Sequence, residues 1–182
     1  MIYSFLKLQT VALLVGLALV AMHGFALAGG AGIRRWLKGF PRSRNMGIAL
    51  LTLVAIWAFW LAATMDLGEF SKYRNMLMIV VPAAWYLSLQ FVDEFLSVRS
   101  LGILLLLLAE PVLEASFLKL QTGRLLLVIL AYAWVVAGLF WVGMPYLLRD
   151  QIAWFTKNEL RWRAACVAGL GYGLAVILFA AR

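Results

Sequence analysis

The sequence predicts an all-α, polytopic membrane protein: a single domain over residues 1–182, built as a bundle of about six transmembrane helices. Two observations carry this. The chain is 65% hydrophobic with a mean hydropathy of +0.96, well above the 45–50% apolar content usual in soluble domains. The apolar residues also fall into six runs, at about 10–29, 46–65, 76–91, 101–118, 125–147 and 164–181, separated by short polar stretches. About twenty helical residues cross a hydrocarbon core roughly 30 Å thick. Only a helix satisfies its own backbone hydrogen bonds there, and short connections make neighbours antiparallel.

The first run, preceded by Lys7 and followed by Ala26-Leu27-Ala28-Gly29, has the outline of a cleavable signal peptide. Its length favours a retained span. The third run has the shortest apolar core. The sixth is rich in small residues; Ala164, Ala165, Ala168 and Gly169 recur at helical spacing, with Gly171 and Gly173 beyond them, which lets another helix approach closely. Between the fifth and sixth runs, residues 149–163 combine Trp154, Phe155 and Trp162 with four basic residues, the pattern of a short interfacial helix or an aromatic-anchored connection.

The formal net charge of +8 would point to nucleic acid in a soluble chain. Here the cations sit between apolar runs, so the expected partners are the lipid bilayer and other membrane subunits, not nucleic acid. Ten Lys and Arg residues lie in the connections after runs one, three and five, against six on the other side. That excess predicts an inner (plasma) membrane protein of bacterial type with both termini outside.

Glu110 stands out. In a helix over 101–120 it falls at the middle, with Pro111 next and Glu114 one turn on the same face. An ionised carboxylate at that depth costs at least about 2.5–3.5 kcal/mol. Protonation, a cationic partner such as Arg99 or Arg124, or a wet cavity would offset it. Pro111 removes a backbone donor and frees the Leu107 carbonyl, so the group could bind a cation or pass a proton. The structural alternative is a pair of acids that locks one bundle geometry.

Asp93-Glu94, followed by Arg99, resembles the paired acids and arginine of a membrane protease family. The spacing is one residue too long and the histidines that should follow are missing, so a charged interfacial turn is the better reading. His23, the sole histidine, could ligate a haem or relay a proton, though a hydrogen-bonded core histidine is favoured. Cys166 reads as a small buried hydrophobe. Ser4–Thr10 repeats without change at 116–122, each copy leading into an apolar run, which suggests a partial duplication or a reused interfacial motif.

No phosphate-binding loop, Cys-x-x-Cys pair, metal-spaced His cluster or Ser/His/Asp set is present, and no cofactor is evident. The sequence therefore points away from an enzyme. It favours a non-catalytic accessory or assembly subunit of a larger membrane complex, with a small proton- or cation-coupled transporter or channel using Glu110 as the alternative.

Overall fold

The computed structural model describes Tyr3 and residues 7–92, 94–119, 121 and 123–180. Its order is α1 (Leu8–Ala28), α2 (Gly30–Gly39), a 3-10 turn (Phe40–Arg42), α3 (Arg44–Thr64), a second 3-10 turn (Gly68–Tyr73), α4 (Arg74–Phe91), α5 (Leu96–Ser116), α6 (Arg124–Gly143), α7 (Tyr146–Thr156) and α8 (Glu159–Ala180). No strand occurs among the described residues. The all-α membrane bundle is thus what the chain forms.

Local chemistry explains the boundaries. Gly30 adopts φ +48°, a left-handed conformation open to glycine, so α1 ends there and the chain turns into α2. Ser43 Oγ accepts a hydrogen bond from the Met46 amide and caps α3. Asp66 accepts from the Gly68 amide, and Gly68 at φ +51° redirects the chain toward α4. The fifth apolar run stops at Gly143 instead of continuing to 147, because Met144 leaves helical geometry and Pro145 opens α7. The sixth run begins five residues early, at Glu159, after Asn158 Oδ1 accepts from the Leu160 amide.

The helices alternate in direction. α1 and α8 cross antiparallel, with Gly16 facing Gly173 and His23 against Gly169. α5 and α6 do the same through Gly102 and Gly138. α3 and α5 run parallel, Gly47 lying against Ser97, so the chain has to return between them. α4 makes that return antiparallel to α3, fixed where Trp85 donates to Thr52 (3.2 Å) and Arg44 to the Leu89 carbonyl (3.3 Å).

Five of these helices, α1, α3, α5, α6 and α8, are long and apolar enough to cross a membrane. α4 is not. Its 18 residues include Arg74, Asn75 and Gln90, and Pro82 interrupts its hydrogen bonding. The expectation of about six spans, the third with the shortest apolar core, therefore resolves into five strong spans and a weaker return segment on the edge of the bundle, none of whose residues is fully buried.

Leu8 and Val176 share one core cluster with Val112, Ala115 and Leu127, so α1 begins and α8 finishes at the same end of the bundle. At the other end Phe40, Val98 and Leu148 form a second cluster that holds α7 and the first 3-10 turn. The basic stretch after α1 is helical too. At 100° per residue Ile33, Trp36 and Leu37 share one side of α2, and Arg34, Arg35 and Lys38 the other.

Glycines set the closest approaches. A Cβ at Gly169 would collide with the His23 ring, whereas Ala168 on the neighbouring face is exposed. Of the small residues in α8, Gly169 and Gly173 meet α1; Gly171 has open space and Ala164 is exposed. Gly169→Leu should lower thermal stability by about 1–3 kcal/mol through overpacking. Ala168→Leu should stay within about 0.5 kcal/mol, as exposed substitutions do. Detergent melting curves of the two variants check this, and equal losses would contradict the crossing.

Candidate functional site

Glu114 is two residues from the end of α5, at the end of the bundle where Tyr3 packs. The Tyr3 amide donates to Glu114 Oε2 at 3.3 Å, and the Trp57 indole donates to the Tyr3 hydroxyl at 2.8 Å. The Tyr3 ring also meets Trp60, centroids 6.0 Å apart. Tyr3 is only 6% exposed, so an aromatic wedge closes the gap between α3 and α5. Glu114 Oε1 is buried and has no hydrogen-bond partner among the described residues. Sequence reading found the acid but missed Tyr3, which lies 111 positions away with no local signal to link them.

Burial pushes the Tyr3 phenol above its ordinary value of 10.0; the Trp57 bond opposes this, and the nearby carboxylates of Glu110 and Glu114 add to it. A raised phenol value means the fold prefers the neutral form. The stability from Tyr3 is then complete below the ordinary value and lost as pH rises through the folded one. Wild-type protein should lose stability above about pH 10 faster than Tyr3→Phe, which cannot ionise there. Unfolding curves across that range test it; parallel pH profiles would refute it.

Glu110 is on the same helix but is exposed, and it makes no hydrogen bond or ion pair among the described residues. Because α5 starts at Leu96, Glu110 is six residues from the end of the helix at Ser116, about 9 Å of rise. The placement at mid-span is corrected to the outer third. Ser97, Ser100 and Arg99, in the polar stretch between the third and fourth runs, begin the helix: Ser97 Oγ donates to the Phe40 carbonyl (2.7 Å) and Ser100 Oγ to that of Leu96 (2.8 Å), while Arg99 is bonded through Nη1 and its buried Nε has no partner among the described residues.

Neither arginine pairs with these acids. Arg99 Nη1 donates to the Val142 carbonyl at 2.9 Å, at the end of α6. Arg74 likewise donates to the Ala63 and Met65 carbonyls at the end of α3 (2.8 and 2.7 Å), and Arg44 to α4. The last carbonyls of a helix lack partners and carry partial negative charge, so a neighbour's guanidinium completes them. Arg124 opens α6 at the end where Glu114 sits and forms no ion pair with it.

His23 Nδ1 lies 2.8 Å from the Leu19 carbonyl one turn back, and its ring fills the crevice at Gly169. Glu94 is exposed beside the α4–α5 turn, and Asp93 lies outside the described residues. Among the described residues no group of three His, Cys, Asp or Glu side chains comes together as a metal site. The described part of the first copy, residues 7–10, leads into α1, and residues 116–119 and 121 of the second run on from the end of α5; α1 and α6, the helices after the copies, run parallel. Residues 4–6, 120 and 122 of the copies lie outside the described residues.

The fold defines a multi-pass, all-α membrane protein. No protein-family model, characterised protein or solved structure matches the chain.

Proposed function

We propose that this chain is a non-catalytic accessory or assembly subunit of a larger membrane complex. One observation supports the reading: Glu110 lies inside a spanning helix, its side chain is exposed, and it makes no hydrogen bond or ion pair among the described residues. Ionisable groups within spans face a protein interior or a wet cavity. A second chain seated over this part of α5 would supply that cover. A photo-crosslinking residue at position 110 should then trap another polypeptide in native membranes. A purified chain that alone carries proton or cation flux in liposomes, lost on Glu110→Gln, would overturn the subunit reading.

The second reading, a small proton- or cation-coupled transporter or channel, is favoured by Glu114, whose Oε1 is buried and has no hydrogen-bond partner among the described residues. Either protein would occupy the inner membrane with both termini outside, as the ten-to-six excess of basic residues supports. Cysteines introduced at 34–44 in a Cys166→Ser background should resist labelling from outside intact cells, and labelling there would reverse the orientation.

A further inference from the structure

We propose that α2, lying against α7, is an anionic-lipid-binding helix whose Arg34, Arg35 and Lys38 hold the phosphates of acidic phospholipid headgroups in the surrounding bilayer.

The inference starts from how the cations at this end are used. Arg44 and Arg99 complete neighbouring helices. Arg149 pairs with Asp150 at 2.9 Å and Arg163 with Glu159 at 2.6 Å. Arg161 stacks on Trp154, 4.6 Å from the ring centroid. The described cations left here without a hydrogen bond, ion pair or ring contact are Arg34, Arg35, Lys38, Arg42 and Lys157. Four of the five are in or just after α2, which contains no acid of its own. The two acids of α7 and the start of α8, Asp150 and Glu159, are already paired with their own arginines. Glu94, exposed beside the α4–α5 turn, makes no ion pair with α2 either, so among the described residues no acid pairs with the positive face of α2.

The rest of the helix fits a headgroup position. Trp36, 55% exposed, packs on Phe40 with centroids 5.8 Å apart. Trp154 on α7 is 53% exposed. Tryptophan at the ends of spanning helices favours the headgroup layer, and a helix with cations on one side and apolar residues on the other lies in its plane. Such a face is complementary to the negative surface of an acidic bilayer. Each basic residue near that surface contributes about 1 kcal/mol, about fivefold in affinity.

The test reconstitutes the full chain in vesicles of equimolar phosphatidylglycerol and phosphatidylcholine, extracts it gently and counts retained lipids by native mass spectrometry. Wild-type protein should retain phosphatidylglycerol at least about fivefold over phosphatidylcholine. Arg34→Gln/Arg35→Gln/Lys38→Gln should lower that ratio at least about fivefold, and high salt should lower it in wild type. The two exposed positions alone, Arg35→Gln/Lys38→Gln, give a milder variant; its unchanged melting temperature with a reduced ratio supports a direct role. Lys7→Gln/Lys72→Gln/Lys119→Gln, at the opposite end, should leave the ratio as in wild type. Equal retention of both lipids by wild type, an undiminished ratio in both α2 variants, or the same loss in the opposite-end control each overturns the proposal. So does retention of an acidic polypeptide in place of phosphatidylglycerol that the α2 variants release.

Discussion

Gly138→Leu should leave little folded protein after extraction in mild detergent, while Ala133→Leu, on the exposed side of the same helix, should melt like wild type. A Cβ on Gly138 would stand 2.7 Å from the Gly102 carbonyl oxygen, and one on Gly102 would stand 2.9 Å from that of Gly138. Both obstacles are backbone, so no rotamer change relieves them. In lipid the association of α5 and α6 depends on this close packing, because the tails solvate apolar side chains as well as a helix does. Even Gly138→Ala has to separate the helices, at about 1–3 kcal/mol. The leucine variant should reach the upper end or exceed it, a large share of a total stability of about 5–15 kcal/mol. Gly102→Leu should behave alike. If Gly138→Leu keeps the wild-type melting temperature, the two helices do not cross here.

These glycines also show where sequence reading stops. The apolar runs located α1, α3, α4, α5, α6 and α8 to within a few residues, since hydrocarbon thickness and helical rise fix their length. The boundaries that moved did so where polar residues are satisfied by tertiary neighbours: Ser97, Arg99 and Ser100 extend α5 backward because Phe40, Val142 and the helix itself accept their hydrogen bonds. Hydropathy sees only their polarity. α2 was missed: its basic residues read as a connection, because ten residues are too few to register as a span. Gly102 and Gly138 lie in separate apolar runs, and nothing in either run says that they meet. The small-residue strip in α8 was visible, yet which of its residues face α1 depends on the crossing: Gly169 and Gly173 do, and Ala168 does not.

The site divides in the same way. Glu110 and Glu114 were conspicuous because carboxylates are rare in spans, but their surroundings come from distant parts of the chain. Glu114→Ala should therefore have the larger effect on the isolated protein. It removes the acceptor of the Tyr3 amide at 3.3 Å, and a buried donor left unpaired costs about 1–3 kcal/mol. Amide exchange at Tyr3 should accelerate, and fluorescence from Trp57 should change as the hydroxyl that receives its indole bond moves away. Glu114→Gln keeps an acceptor oxygen and should restore most of the protection, which separates the hydrogen bond from the charge. Glu110→Gln changes an exposed side chain that makes no hydrogen bond or ion pair among the described residues, so stability should stay within about 0.5 kcal/mol. Under the subunit reading its effect appears elsewhere, as weaker retention of the partner chain during purification. Equal losses of stability from Glu110→Gln and Glu114→Ala would mean that Glu110 is held within the bundle, and the uncovered acid could no longer argue for a second chain.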